Sequence, residues 1–154
     1  MTRRHALGTT VALCHAPALA ADDNAAQSPA RQAIETYARA WEKNDLPVLL
    51  DCYHPDFTLN YFGQNALAGR HVGKAASVKV LGEMRQRTQR QLKAIHSLLV
   101  GADLAAMVTR ESLTAKGKTV EVERLYVYSV SGTQLRECWV YDQDQRLVDE
   151  LIGT

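Results

Sequence analysis

Four strand-like runs fill the second half of the chain, and short links that contain glycine separate them. The runs cover residues 92–100, 104–114, 119–130 and 134–142, and the links cover 101–103, 116–118 and 131–133. Short links that are rich in turn formers are typical of β-hairpins. The pattern therefore predicts an antiparallel meander, and any helices must come from the sequence before it.

Helical patterns occupy the region that precedes the meander. Ser28 and Pro29 form a helix start, with serine as the cap and proline at the first helical position, and apolar residues at helical spacing continue it over 29–43. Asp45 is the predicted cap of a second, short helix that ends at 54–56. The predicted buried side of that helix consists of Leu46, Leu49, Leu50 and Tyr53.

A strand, a loop and a third helix complete the predicted elements. Alternation over 57–62 favours a strand, three glycines mark a loop over 63–73, and a helix is predicted from Lys74 to about Arg87. The basic run 85–93 is interpreted as a solvated helix end, because cations stabilise that end of the helix dipole. Helices followed by a long-stranded sheet indicate an α+β cone, in which a curved antiparallel sheet wraps around three helices and leaves a hollow.

Length and charge limit the classes of protein. A chain of 154 residues is long enough for one domain, here 28–154, but not for two. With 18 basic and 17 acidic residues the formal charge is +1, which argues against a nucleic-acid partner. The sequence contains no apolar run of the roughly 18–20 residues that a membrane span needs, so a membrane is not an expected partner.

The first twenty residues have the features of an export signal. Arg3 and Arg4 form a basic start, a small apolar segment follows, and Ala18-Leu19-Ala20 fits a cleavage site. We expect residues 1–20 to direct export to the periplasm or the medium, with 21–27 as a linker, and the arginine pair is similar to a twin-arginine signal. The alternative is a loose tail on a cytoplasmic protein.

Cysteine and histidine spacing predicts no metal site. The chain has three cysteines, of which Cys14 lies within the predicted signal. An oxidising compartment would allow Cys52 and Cys138 to pair, but two free buried thiols are the preferred interpretation. No histidine or cysteine pattern has the spacing of metal ligands.

The stretch 137–151 combines aromatic rings with five carboxylates. If 135–142 is a strand, alternation places two sets of residues on opposite faces: Leu135, Glu137, Trp139 and Tyr141 on one, and Arg136, Cys138, Val140 and Asp142 on the other. A carboxylate beside large rings suits a pocket for a flat apolar ligand. The alternative is that the rings are core and Glu137 lies at a solvated strand end.

The sequence resembles the SnoaL-like family of the superfamily named after nuclear transport factor two. The resemblance covers about 28–154, and it rests on Tyr37 and Trp41, the segment LAGRHVG at 67–73, His96 in KAIHSLLVG, and the closing stretch with Glu137, Trp139, Asp144, Gln145 and Asp149. It implies the cone fold and a reusable pocket that hosts isomerases, cyclases, epoxide hydrolases and binders. An epoxide hydrolase of this kind needs an Asp-Arg-Asp set, which Arg110-Glu111-Ser112 does not provide.

The resemblance implies cofactor-free proton transfer on a small hydrophobic carbonyl compound, as in an isomerase or a cyclase. Asp144 is the predicted general acid/base and His96 its partner. The predicted substrate contacts are Tyr61, His71, Glu123, Glu137, Trp139 and Tyr141. The alternatives are a satisfied core histidine at 96, a solvated Glu123, loop packing for Tyr61 and His71, and a binding module without catalysis.

A homodimer is also expected. Tyr126, Tyr128, Val130, Cys138 and Val140 are assigned to the sheet face opposite the pocket, which would be too apolar for open water. Pairing of two such faces would cover them.

Overall fold

The protein is described by a computed structural model over residues 28–154. The helices and strands, in chain order, are α1 Pro29–Glu42, α2 Leu46–Asp51, β1 Tyr53–Tyr61, β2 Gly69–His71, α3 Lys74–Thr88, β3 Gln91–Val100, β4 Leu104–Ala115, β5 Lys118–Ser131, β6 Gln134–Asp142 and α4 Gln145–Ile152. The predicted export signal, Cys14 and the linker lie outside the described residues. No helix within 28–154 has both the length and the apolar character needed to cross a membrane.

The six strands form one curved, unclosed sheet in the order β2-β1-β6-β5-β4-β3. Strands β3 to β6 pair antiparallel with their chain neighbours, as the short links predict, and β1 pairs antiparallel with β2. Strand β1 lies parallel to β6, so the sheet is mixed. The predicted α+β cone is confirmed, with one parallel pair inside the predicted antiparallel sheet.

The β4–β5 hairpin shows how the sequence sets the register. Ala115 pairs with Lys118, which leaves Lys116 and Gly117 as a two-residue loop. Both loop residues have positive φ, 51° and 74°, as a type I′ turn requires. The loop thereby fixes the long β4–β5 ladder that carries much of the interior face.

Helix α1 packs on the inner face of the sheet. The Ser28 Oγ accepts a hydrogen bond from the Arg31 backbone N–H at 3.2 Å, so the predicted cap forms. Ile34, Tyr37 and Ala38 are buried in the same cluster as inward-facing residues of β1, β5 and β6. Burial of this stripe is worth roughly 25 cal/mol per Å² of apolar area, and it holds the helix across the sheet.

Four local predictions were wrong. Strand β1 begins at Tyr53, so residues 54–56 belong to the strand and do not end a helix. Helix α2 has no buried residue, and Leu46 and Leu50 are 49% and 39% exposed. Short β2 lies inside the predicted loop 63–73, and α4 follows the meander where no helix was predicted. Six-residue helices and three-residue strands depend on tertiary contacts more than on their own periodicity.

The assignment of sheet faces was also wrong. Tyr126, Tyr128, Cys138 and Val140 are at most 3% exposed and face the helices, not a second subunit. Glu137, Trp139 and Tyr141 alternate with Cys138 and Val140 and lie on the outer face. Leu135, predicted to share their face, is fully buried, because a bulge in the β5–β6 pairing interrupts the alternation between it and Glu137. Alternation decides which residues share a face, but the helices decide which face is covered.

Helix α4 anchors the loop that follows β1. The Asp149 carboxylate accepts hydrogen bonds from the Gln64 backbone N–H at 2.9 Å and the Asn65 side-chain amide at 2.5 Å. Gly63 has a φ of +114°, and a Cβ at this position would overlap Asp149 and Gln145. Glycine is therefore required where the loop passes α4.

Candidate functional site

A cavity of about 650 Å³ opens between helices α1, α2 and α3 and the start of β3. The apolar part of its lining consists of Trp41, Leu46, Leu49, Leu50, Val78, Leu81, Leu92 and Ala94. The polar part consists of Tyr37, Glu42, Asn44, Tyr53, Arg85, Arg90, Gln91 and Lys93, with Gly82 completing the lining. The size and the mainly apolar lining are those of a small-molecule site. The α2 leucines that were predicted to be buried thus line the mouth of this cavity.

Two tyrosines place a hydroxyl pair on the cavity lining. The Tyr37 and Tyr53 hydroxyls share a hydrogen bond of 2.8 Å, and both side chains are nearly fully buried. Burial raises the pKa of both phenols above its ordinary value. Both groups therefore stay protonated near neutral pH, and because one O–H donates to the other hydroxyl, the pair has one O–H left to donate to a ligand.

Arg90 is the buried cation of the cavity. Its guanidinium lies over the Trp41 ring at 5.1 Å, and its side chain is 14% exposed. Its Nη1 donates to the Tyr126 hydroxyl at 3.4 Å, and its Nε lies 3.6 Å from the Glu111 carboxylate. The second distance is beyond that of a hydrogen bond, so Arg90 is held in place without having all its donors satisfied. The interpretation of 85–93 as a solvated helix end was wrong for Arg90.

Glu111 does not line the cavity, but its carboxylate forms an ion pair with Arg90. Its Oε1 accepts hydrogen bonds from the Tyr126 hydroxyl at 2.6 Å and from the Thr109 hydroxyl at 2.9 Å, and the side chain is fully buried. Its Oε2 lies 3.5 Å from the Arg124 Nη1 and 3.6 Å from the Arg90 Nε. One carboxylate therefore faces two guanidinium groups, as buried charges require a partner.

Arg124 links this carboxylate to a second one. Its Nε donates to the Asp142 carboxylate, and its Nη2 donates to the Tyr61 hydroxyl at 2.9 Å. The side chains of Arg124 and Asp142 are at most 1% exposed. Glu111, Arg124 and Asp142 thus form a carboxylate–arginine–carboxylate row across β4, β5 and β6, which we call the buried row.

Burial and neighbouring charges shift the pKa values of Arg124 and Asp142 in the buried row and of Arg90. Burial acts to lower the pKa of Arg90 and of Arg124, but Tyr126 and Glu111 raise each pKa above its ordinary value. Burial raises the pKa of Asp142, against the opposing effect of Arg124. Its Oδ2 has no hydrogen-bond partner among the described residues. The two arginines therefore stay charged, and the row with Arg90 contains as many cations as carboxylates.

In the sequence, an Asp-Arg-Asp set was compared only with residues 110–112, which all lie on β4 and do not provide it. The structure assembles an acid–arginine–acid row from three strands, with Glu111 where that set has an aspartate. Glu111, Arg124 and Asp142 do not line the cavity described above. Their position supports the floor of the cavity, because they fix Arg90 and Tyr126.

The predicted catalytic pair lies away from the cavity. The Asp144 Oδ1 accepts a hydrogen bond from the Leu147 backbone N–H at 3.0 Å, so Asp144 caps α4. His96 lies at a bulge in β3, with its Nε2 3.7 Å from the Glu123 carboxylate, and both side chains are more than one third exposed. Neither Asp144 nor His96 lines the cavity, and no contact joins them in the described part of the chain. Their catalytic roles stay predictions.

Of the other predicted substrate contacts, Tyr61 lies in the interior, and Glu137 and Tyr141 lie on the outer face of the sheet. Tyr61 is buried and bonded to Arg124. Glu137 accepts a hydrogen bond from the Asn60 side chain at 2.8 Å, and Tyr141 packs against Phe62 with ring centroids 5.0 Å apart.

The last two predicted substrate contacts, Trp139 and His71, also lie away from the cavity. Trp139 pairs with Asn60 and Val127 on the outer face, and the His71 Nε2 lies 2.9 Å from the Leu67 carbonyl oxygen. The structure therefore brings no two of the predicted contacts together at the cavity.

Charged residues that lie on the same strand face as buried residues were missed in the sequence analysis. Arg124 alternates with Val122, Tyr126 and Tyr128, and all four face the interior. Glu111 likewise alternates with Thr109 and Leu113. A charged residue on the same strand face as a run of apolar residues was the available indication of a buried ion pair. Arg90 carried no such indication, because it precedes β3 and tertiary packing alone buries it.

No group of three or more histidine, cysteine or acidic side chains within 28–154 is arranged to hold a metal ion. Cys52 and Cys138 are free and buried, as the sequence interpretation preferred. Burial raises the pKa of both thiols, so neither has the character of a reactive nucleophile.

Residues 34–138 match the SnoaL-like domain family, and the chain belongs to that family. No curated protein sequence matches the chain significantly.

Solved structures share the fold. A protein of unknown function with a cystatin-like fold from Xanthomonas campestris is 20% identical, with a TM-score of 0.76 over 81% of this chain and 98% of that chain. Bal32a, from a soil-derived mobile gene cassette, is 20% identical, with a TM-score of 0.74 over 82% of this chain and 100% of its own. A provisionally named SnoaL-like polyketide cyclase from Jannaschia sp. CCS1 is 15% identical, with a TM-score of 0.67 over 82% of this chain and 95% of its own.

Proposed function

We propose that the cavity binds a small hydrophobic carbonyl compound and promotes a cofactor-free proton transfer on it, of the isomerase or cyclase type. The observation that carries the proposal is the meeting of one buried guanidinium, Arg90, and two protonated phenols with an apolar cavity of about 650 Å³. Removing a proton beside a carbonyl group puts negative charge on the carbonyl oxygen. Fixed donors in a poorly solvated site stabilise that charge far more than water does.

The proton needs a base among the residues around the cavity. Glu42, at the end of α1, is the one carboxylate in the lining that the described residues form. In the proposed step its carboxylate takes a proton from the carbon beside the carbonyl group, and the electron pair moves onto the oxygen held by Arg90. Return of the proton to another position completes an isomerisation. In a cyclisation the enolate carbon attacks a second carbonyl group, the first carbonyl re-forms, and the proton on Glu42 passes to the new alkoxide oxygen.

Hydrogen exchange in heavy water tests this proposal. The ketone 2-tetralone has a flat apolar body with exchangeable protons beside its carbonyl group, and proton NMR follows their replacement by deuterium. We expect the wild-type protein to accelerate the exchange above the buffer rate, and Glu42→Gln to lose at least about tenfold of that acceleration. Asp144→Asn is the matched control, because Asp144 is the base predicted from sequence.

Each outcome of the exchange experiment has a separate meaning. Loss of exchange in Asp144→Asn with full activity in Glu42→Gln would transfer the role of base to Asp144. No acceleration by the wild type, for this or related ketones that bind, would refute catalysis and leave a binding module.

Binding without turnover is the second candidate function. The observation that favours it is the exposure of Glu42, because tuned bases are usually partly buried. Both candidates use the same cavity, so a ligand that co-purifies with the protein, identified by mass spectrometry, would inform both. Turnover of that ligand separates them.

We also propose that the protein is a homodimer that forms through the outer sheet face. Trp139, Val127, Ala106 and Leu99 lie in one row across β6, β5, β4 and β3. Leu99 is 60% exposed. A self-complementary apolar face is what a two-fold interface needs, and this face differs from the one predicted from sequence.

Sedimentation tests the assembly. Wild-type protein at micromolar concentration should sediment as a dimer, and Val127→Glu should shift it to monomer because a charge is placed in the middle of the row. Lys118→Glu, at the exposed start of β5, is the control and should leave the dimer intact. A monomeric wild type would contradict the proposal.

A further inference from the structure

Positive charge exceeds negative charge in the lining of the cavity. Arg85, Arg90 and Lys93 contribute three cations and Glu42 one carboxylate, so the lining carries a net charge of +2. Arg85 is exposed at the mouth, whereas Arg90 is mostly buried. A cavity with mainly apolar walls and an excess of positive charge attracts an apolar molecule that is also an anion.

Arg90 has a donor group that the protein does not use. Its contacts within 28–154 involve Nε, which faces Glu111, and Nη1, which donates to Tyr126. No described residue accepts from Nη2, and Nη2 is not sealed from solvent. Arg90 itself lines the cavity, so the Nη2 amino group of its guanidinium is available to a ligand.

The pairing of Arg90 with Glu111 is incomplete. Glu111 receives hydrogen bonds from Tyr126, Thr109 and Arg124, while the nearest approach of Arg90 to it is 3.6 Å. A buried guanidinium is stabilised when all its donors find acceptors, and a ligand with a negatively charged oxygen would supply the missing acceptor. The Trp41 ring covers the guanidinium at 5.1 Å and accepts no hydrogen bond from Nη2, whose N–H groups point in the guanidinium plane.

We infer that the ligand of this cavity is an anion with a flat apolar body, and that its charged oxygen, a carboxylate or an ionised enol, binds the Nη2 of Arg90. This inference rests on the proposed function and defines its substrate class. The leucines of α2 and α3 and the Trp41 ring contact the apolar body. Glu111 and Tyr126 are positioning residues, because they fix Arg90 and do not reach the cavity.

Two fluorescent probes that differ in one charged group test the inference. The probe 8-anilinonaphthalene-1-sulfonate carries an anionic group on a flat apolar body, and N-phenyl-1-naphthylamine is the same body without the charge. We expect Arg90→Gln to weaken sulfonate binding by about tenfold or more, the cost of one charged hydrogen bond, and to change binding of the neutral probe by less than about twofold. Equal weakening of both probes would overturn the inference.

Further variants separate Arg90 from the other cations and from folding. Arg85→Gln changes a cation at the mouth and should weaken sulfonate binding less than Arg90→Gln does; a larger loss in Arg85→Gln would place the anion at the mouth and overturn the assignment. If Arg90→Gln does not fold, Arg90→Lys keeps the positive charge beside Glu111 but removes the Nη2 donor, and it should still weaken sulfonate binding more than binding of the neutral probe; equal changes for both probes would overturn the inference. Failure of the wild type to bind either probe would instead refute the apolar cavity site on which the inference rests.

Discussion

Replacement of Glu111 by glutamine removes the charge on which two buried arginines depend. The amide oxygen can still accept from Tyr126 and Thr109, but the amide N–H group then faces the Arg124 Nη1 at 3.5 Å and the Arg90 Nε at 3.6 Å. The charged hydrogen bond from Arg124 and the ion pair with Arg90 are both lost, and a charged hydrogen bond alone contributes about 1.5–3 kcal/mol. Breaking a buried ion pair from one side costs about 3–5 kcal/mol, which agrees with this estimate.

We therefore expect Glu111→Gln to lower the free energy of unfolding by about 3–5 kcal/mol, a large part of the roughly 5–15 kcal/mol typical of a domain. Urea unfolding followed by tryptophan fluorescence measures the change, with the denaturant dependence checked for two-state behaviour. Glu121→Gln makes the same chemical change at an exposed position of β5 and should stay within about 0.5 kcal/mol of the wild type. A loss below about 1 kcal/mol in Glu111→Gln would refute the account of the buried row.

Three further experiments test the loop at Gly63, the cap of α4 and the burial of Cys138. Gly63→Ala should lower stability by more than about 1 kcal/mol, because its Cβ would overlap Asp149, while Gly82→Ala, in an open helix interior, should raise stability by about 0.5–1 kcal/mol in the same unfolding assay. Asp144→Ala should cost about 1 kcal/mol through the lost cap of α4, and Asp144→Asn much less, so equal losses would contradict the capping role. Iodoacetamide should leave Cys138 unlabelled in the native protein and label it after unfolding, as peptide mass spectrometry would show; labelling of Cys138 in the folded state would contradict its burial.

Local sequence rules determined most of the elements. Ser28 and Pro29 start α1 because their cap geometry involves neighbours in the chain, and the link at Lys116 and Gly117 sets the β4–β5 register because only positive φ fits that turn. The order of helices and hairpins then gave the α+β cone, which the fold confirms. These features depend on contacts within a few residues, so they are present in the sequence itself.

Tertiary structure alone decided where the site lies. The alternation of β6 separated Trp139 from Cys138 and Val140, but only the packing of α1 on the sheet decided which of the two faces is inside. Arg90 was indistinguishable from its basic neighbours in the sequence, and it is buried because Trp41 and Glu111, distant in the chain, meet it there. The buried row is assembled across three strands, and pairwise contacts at such separation leave no local pattern in a single sequence.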